Sequence, residues 1–503
     1  MRAALRIIRA PADETKHDTG IIMNFSDYAK YDGLGLADLV RRKEVSPAEL
    51  VETAIARAEA VNPQLNFMVF RDFERARAAA KRGANEGVFA GVPMFLKDIL
   101  AFAEGMPTRQ GARFIPAIPF PRDSLLTTRF RQAGLIPLGK TNVPEYGLLP
   151  FTEGKLYGPA RNPFDLTRST GGSSGGSAVA VAAGVVPIAH GNDGGGSIRI
   201  PASCCGLVGL KPTRARVTLA PELGEAVDGL AIDFVLTRSG RDSAAALDAI
   251  AGNIQGDPYW APPAPASWLA TSQEKPMRLK IAVSPKKLDG NPLHPDCEAA
   301  VRHAAKLCED LGHIVEEATP HFELGLLVPS FLVIWSANLA TAIDYTARLT
   351  GQIPAPDLFE GLTWAMYEAG KRVAASDYLM AKAALQQSGR SAARFHETYD
   401  LWLTSTLGAP PMKIGAFDTE EREMAKGFLP LFDYVPFTAL QNVTGQPAIN
   451  LPLHRNADGL PIGVHFTGRF GEDAVLLQLA RELEQAEQWG IGYKTPSVLA
   501  ERA

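Results

Sequence analysis

The chain has 503 residues, with 51 Lys and Arg against 55 Asp and Glu and a net charge of −4. That balance leaves no basic footprint and excludes nucleic acid as a partner; 46% hydrophobic and 21% charged residues mark a globular chain. No run of about eighteen consecutive apolar residues occurs, so no membrane partner is expected.

The first 22 residues carry early arginines, a four-residue apolar core and then acids, too short a core for a signal peptide. They are expected to be a flexible extension ahead of one globular unit, residues 23–503. From Gly35 to about Glu59 apolar residues recur at helical spacing, interrupted by "EVSPAEL". There Ser46 is an N-cap, Pro47 takes the first helical position and Glu49 completes a capping box. "DFERARAAAKRGANEG" reads as a further helix ending at glycine. "GVPMFLKDIL", residues 91–100, is a short apolar run with a single lysine, Lys97, and reads as a strand. "SLLTTRFRQAGLIPLGKTNVPEYG" gives helix, turn, short strand and loop. The alternation continues through "KIAVS", "CEAAVRHAAKLCEDLGHIVEEA", "PAINLPLH" and "IGVHFTG", an α/β pattern with helices on both faces of a large sheet. Residues 256–268 form a Pro- and Ala-rich connector. Residues 329–427 read as mostly helical and carry Trp335, Tyr345, Trp364, Tyr367, Tyr378 and Trp402, taken as packing aromatics with some lining a substrate pocket. Cys204, Cys205, Cys297 and Cys308 form no C-x-x-C pair and no metal-ligand cluster, and are read as buried, reduced thiols of a cytoplasmic protein.

Two Gly/Ser knots carry the chemistry. The first, "TRSTGGSSGGSAVAVAAG", has the Gly171–Gly176 spacing of a phosphate loop, but Ser177-Ala178 stand where Lys-Ser/Thr belongs. Gly171 to Gly175 also satisfies the G-x-S-x-G of a nucleophile elbow, with His454 or His465 as available bases. The polar "RNPFDLTRST" before it reads as no strand, which speaks against an elbow esterase. The second knot, "HGNDGGGSIRIPAS", places three glycines directly before Ser197. Consecutive backbone N–H donors beside a serine hydroxyl are what acyl transfer needs. A buried neutral lysine can replace histidine as the base, and Lys97, alone in its apolar run, suits that role.

"GVPMFLKD", "GKTNVPEYG", "YGPARNPFD", "GGSSGGSAVAVAAG", "GNDGGGSIRIPASCCGLVGLKPT" and "NVTGQPAINLPL" follow one another as in the amidase signature family, which the chain resembles from about Leu36 to Ala486. The resemblance implies a single α/β domain built on a large mixed, twisted sheet covered on both faces by helices, with 329–427 as its substrate-specificity region. It implies a Ser–cis-Ser–Lys triad of Ser197 (nucleophile), Ser173 (bridge, on a cis peptide bond) and Lys97 (base). The backbone N–H groups of Gly194, Gly195, Gly196 and Ser197 would form the oxyanion hole, and Gly147, Leu148 and Leu149 would lie beside the acyl group. Asp193 is expected to orient the glycine loop, His190 to be a core or supporting residue, and Arg199 to tie the two knots through backbone carbonyls. Gly194 departs from the family, in which threonine or a branched residue is frequent, and predicts a looser loop. No metal and no organic cofactor are implied. The expected partner is a small amide, with a homodimer as the assembly left open. "AHGNDGGGSIRIPAS" and "GLVGLKPTRARVT" are similar to the 6-aminohexanoate cyclic-dimer hydrolase branch, so nylon-type oligoamides, aryl amides and carbamates are the substrates considered. The other alternative is the A subunit of a glutamyl-tRNA amidotransferase.

Overall fold

The computed structural model describes residues 23–489; the expected extension, residues 1–22, lies outside the described residues. The capping box forms as the sequence dictates. Ser46 N–H donates to Glu49 Oε2 at 2.7 Å, Glu49 N–H donates to Ser46 Oγ at 3.2 Å, and helix Pro47–Leu65 follows.

Strands form where short apolar runs stand between turns. In chain order they are β1 (Met68–Arg71), β2 (Pro93–Lys97), β3 (Ile136–Thr141), β4 (Arg161–Asn162), β5 (Asp165–Ser169), β6 (Ile188–Asp193) and β7 (Val208–Lys211). They continue as β8 (Ile232–Thr237), β9 (Lys280–Val283), β10 (Ile314–Glu317), β11 (Leu401–Ser405), β12 (Ala448–Arg455) and β13 (Pro461–Gly468). Eleven of them make one sheet in the order β1-β3-β2-β6-β8-β7-β12-β13-β11-β9-β10. Pairing is parallel at β2/β3, β2/β6, β9/β10 and β9/β11 and antiparallel elsewhere, giving the mixed sheet expected, with helices over both faces. Its central strands are buried throughout, which is why β2 reads as a continuous apolar run ending in one lysine. Helix Gly175–Ala182, "GGSAVAVA", is buried at all eight positions, and its small residues let it seat closely on β2, β6 and β8.

Two expectations need correction. Residues 165–169 are a strand, β5, despite their polar composition, because they pair with β4 in a two-stranded ribbon outside the main sheet. The helical stretch 329–427 contains β11, which enters the main sheet between β13 and β9. Trp402 therefore sits in the sheet, with its Nε1 donating to Ser284 Oγ at 2.9 Å. Most of the remainder is helical as read, in Leu324–Thr350, Gly361–Lys371, Ala375–Phe395 and the start of Met424–Tyr434, with an irregular stretch over 406–423. Helix Leu324–Thr350 is long and apolar enough to cross a membrane, at a mean hydropathy of 1.8, although interspersed Ser, Asn and Thr break any unbroken apolar run. Its Leu327, Phe331, Ile334, Leu339 and Ile343 are buried within the protein, and it packs on the two helices that follow. A separate apolar cluster joins this layer to residues 146–151, with Leu149, Phe151, Leu339, Ile343, Phe359 and Met366 at its centre.

Candidate active site

Strands β2 and β6 are adjacent and parallel, so their carboxyl ends open on one edge of the sheet, where α/β folds bind ligands. β2 ends in Lys97. β6 ends in Asn192 and Asp193, and then come the three glycines, Ser197 and helix Arg199–Cys205. The structure thus brings the lysine and the second knot together, and the first knot joins them from the turn between β5 and helix Gly175–Ala182.

Lys97 is wholly buried. Its Nζ lies 2.7 Å from Ser173 Oγ, 2.5 Å from Asn192 Oδ1 and 3.4 Å from Asn192 O. Burial pushes its pKa from 10.5 down to about 7, against the opposite pull of the Asp233 and Asp193 carboxylates. Lys140 and Lys211 are equally buried, but their Nζ groups donate to the carbonyls of Ala101 and Pro212. Of these three lysines, Lys97 is the one that meets a serine hydroxyl.

Ser173 follows a cis Gly172–Ser173 peptide bond, as the resemblance implied. Ser174 N–H donates to Ser197 O at 3.2 Å, which sets the two knots side by side. Gly147, at φ 66°, lies against Ser173: a β-carbon there would fall 2.6 Å from Ile99 Cδ1 and 3.2 Å from Ser173 Oγ. Only glycine brings the main chain that close in that conformation. Leu148 is half-buried, whereas Leu149 is buried in the apolar cluster.

The glycine loop is held from below by Asp193. Its Oδ1 accepts from Gly196 N–H at 2.8 Å and its Oδ2 from Ile198 N–H at 3.1 Å. This corrects the expected donor set, because the Gly196 N–H is turned inward onto the carboxylate. Among the described residues, the N–H groups of Gly194, Gly195 and Ser197 have no protein acceptor, and Gly195 and Ser197 are half-buried. Thr438 Oγ1 donates to Gly195 O at 2.7 Å and pins the middle of the loop.

Arg199 does not bridge backbone carbonyls as expected. It forks onto Asp193, with Nε to Oδ2 at 2.9 Å and Nη2 to Oδ1 at 2.8 Å. It also donates to Gln441 Oε1, Asn442 Oδ1 and His465 Nε2 at 3.1, 2.7 and 3.1 Å. Burial alone would raise the Asp193 pKa; the Arg199 charge and these hydrogen bonds outweigh it and hold the carboxyl well below the usual range. Since arginine can only donate, His465 Nε2 is unprotonated and Nδ1–H faces Thr404 Oγ1 at 3.3 Å. His465 is therefore part of the loop's support, and His454, on β12, packs beside His303. His190 accepts from the Lys97 backbone N–H through Nδ1 at 3.2 Å and meets Asp233 through Nε2, fixing the end of β2. Its supporting role is as expected.

Asn192, Thr438, Gln441 and Asn442 were not singled out in the sequence. Asn192 lay within "GND" and Asn442 within "NVTG", motifs in which only the glycines and charges carried a chemical argument. Among the described residues no cluster of three or more His, Cys, Asp or Glu is placed to hold a metal ion.

The chain is similar to known proteins over most of its length. The amidase family model matches residues 49–477. The 6-aminohexanoate-cyclic-dimer hydrolase of Paenarthrobacter ureafaciens is 37% identical over 479 residues, covering 91% of this chain and 95% of the relative. A solved structure of 6-aminohexanoate cyclic dimer hydrolase superposes with a TM-score of 0.89 at 36% identity, covering 94% of this chain and 99% of the other. A bacterial aryl acylamidase gives a TM-score of 0.83 at 25% identity, covering 93% and 98%. With sheet, motifs and near full-length similarity in agreement, the chain belongs to the amidase signature family.

Proposed function

We propose that this amidase-family chain hydrolyses the C–N acyl bond of a small, largely apolar amide through Ser197, Ser173 and Lys97. Ser197 attacks the carbonyl, and its proton passes through Ser173 to neutral Lys97. The N–H groups of Gly194, Gly195 and Ser197 donate to the oxyanion, the proton returns to the leaving nitrogen, and water cleaves the acyl-enzyme ester. One observation carries this reading: the buried Lys97 amine 2.7 Å from Ser173 Oγ. A neutral amine has two hydrogens and one lone pair. The two oxygens of Asn192 take the hydrogens, which leaves the lone pair for the Ser173 O–H.

Similarity to the cyclic-dimer hydrolase supports an aliphatic oligoamide as one substrate, and the apolar cluster behind Leu148 supports aryl amides and carbamates, with esters as a side activity. A cytoplasmic setting fits four free, buried cysteines. The test is labelling with a sulfonyl fluoride, followed by mapping of the adduct, together with turnover of Ser197→Ala on a panel of anilides, aliphatic amides, esters and carbamates. The adduct is expected on Ser197, with no turnover in the variant. An adduct on Ser173 would overturn the assignment, and an isolated chain inert on every small amide would favour an amidotransferase subunit.

A further inference from the structure

Gly194 opens the loop after β6, and the indole of Trp335, from helix Leu324–Thr350, lies directly over it. A β-carbon at position 194 would sit 2.8 Å from Trp335 Cη2 and 3.1 Å from Cζ3, closer than a methyl group tolerates. Trp335 stacks on Phe331 with ring centroids 5.1 Å apart and 20° between planes. Phe331 in turn covers Gly195, where a β-carbon would meet its Cζ at 3.6 Å. Phe432 braces Phe331 edge-on, at 6.5 Å and 83°. Two parallel rings therefore roof the two glycines whose N–H groups have no protein acceptor. The roof is reachable, because Trp335, Gly195 and Ser197 are each half-buried. Trp335 and Leu148 both pack against the same apolar cluster, and the Leu148 segment lies beside Ser173. The bulk bordering the loop is thus a flat π-face supplied by the helical layer.

We infer that Trp335, admitted by the absence of a side chain at Gly194, is a specificity-determining residue that selects planar aromatic acyl groups. The inference rests on the serine-hydrolase reading above and names its acyl preference. An aromatic acyl ring is conjugated with its carbonyl and coplanar with it. Laid along the roof in an offset stack, it presents the carbonyl oxygen edge-on to the loop's N–H donors. A saturated ring of equal width is puckered and has no quadrupole to match the indole face.

The test compares kcat/KM for benzoyl-, cyclohexanecarbonyl- and acetyl-4-nitroanilide, which share one leaving group. The wild type should prefer benzoyl over cyclohexanecarbonyl by about fivefold, the scale of one aromatic stacking contact. Trp335→Leu should erase that ratio and Trp335→Phe should retain most of it. Gly194→Ala, which pushes a methyl into the indole, should lower all three rates at least about tenfold, and adding Trp335→Leu should recover much of the loss. An unchanged benzoyl-to-cyclohexanecarbonyl ratio in Trp335→Leu, or a Gly194→Ala defect of equal size with and without Trp335→Leu, overturns the inference. If Trp335→Leu does not fold, loss of the preference in a folded Trp335→Phe overturns it equally, and retention supports it. Ser197→Ala on the same anilides separates the two levels. Turnover surviving there sinks the serine reading itself, whereas a dead Ser197→Ala beside an unchanged ratio sinks only the role of Trp335.

Discussion

Replacing Lys97 by methionine separates the base from its packing, since the variant keeps an unbranched apolar stem and loses the amine. Burial brings the Lys97 pKa from 10.5 down to about 7. At about 1.4 kcal/mol per pH unit, the folded protein disfavours the ammonium by about 5 kcal/mol. The unfolded chain holds that proton up to about pH 10.4 and the folded chain only below about 7. Between those values the unfolded state binds the extra proton, so this group makes stability rise with pH across the window. Below pH 7 both states are protonated and the folded state bears the whole penalty. Lys97→Met should therefore gain more in Tm over the wild type at about pH 6 than at about pH 9. The rate follows the same titration. About a tenth of the amine is neutral at pH 6, so kcat/KM on an anilide should climb about tenfold per pH unit below 7 and level off above it. Amide hydrolysis should fall by about 10²- to 10⁴-fold in Lys97→Met. Lys97→Arg should be as slow, because guanidinium does not release its proton. A wild-type rise centred near the ordinary carboxylate range, or substantial anilide hydrolysis by Lys97→Arg with an unshifted profile, would remove Lys97 from the mechanism.

Asn192→Asp puts a carboxylate where Oδ1 lies 2.5 Å from Lys97 Nζ, favours the ammonium, and should move the rise in kcat/KM alkaline by about one unit or more; an unmoved midpoint would mean Asn192 does not face the working base. Arg199→Met leaves Asp193 charged, buried and without its fork, and should cost about 3–5 kcal/mol in a urea melt. Wild-type stability would show that Gln441 and Asn442 owe nothing to the guanidinium. Burial, with the neighbouring Glu360 carboxyl, raises Glu145 from 4.5 to about 7. The stability tied to its proton is present below about pH 4.5 and lost as pH rises through 7. Glu145→Gln, whose amide oxygen can still accept the Glu360 N–H, should melt higher than the wild type at about pH 8, by up to about 3 kcal/mol, and converge with it near pH 4.

What the sequence disclosed, and what it hid, follows the range of the interactions. The strand carrying Lys97 was legible because a lone charge in an otherwise apolar run needs a reason. The glycine loop was legible because three glycines before a serine are a local backbone fact. Asn192 was not, since an amide at a strand end has no periodic or charge signature and acquires meaning only when Lys97 arrives from another strand. Beyond Asp193, six residues before it, the partners of Arg199 stand some 240 residues downstream or further, and the local sequence carries no sign of those side chains. Strand β5 was missed because a ribbon outside the sheet has no buried face to impose alternation. β11, "LWLTS", was absorbed into the helices around it, being too short to show a period of its own. The inward turn of the Gly196 N–H was missed although its acceptor lies only three residues before it, because the sequence does not say which N–H of the glycine run Asp193 takes.

The route of the chain through the sheet makes the molecule unevenly divisible. The helical layer leaves after β10 and returns at β11, so both of its ends are anchored in the half of the sheet beyond β13, away from Lys97. The glycine loop hangs instead on residues 438–442 and on β13. A graft that exchanges the layer between β10 and β11 replaces the walls of the acyl site without breaking any hydrogen bond to Asp193 or Arg199. A truncation after β11 removes Gln441, Asn442 and His465 and leaves Asp193 and Arg199 to each other and to the loop N–H groups, while keeping every residue of the proposed triad in place. Fragments that retain 97, 173 and 197 alone should therefore be inert. Chimeras should work when position 194 is exchanged together with the helix that covers it.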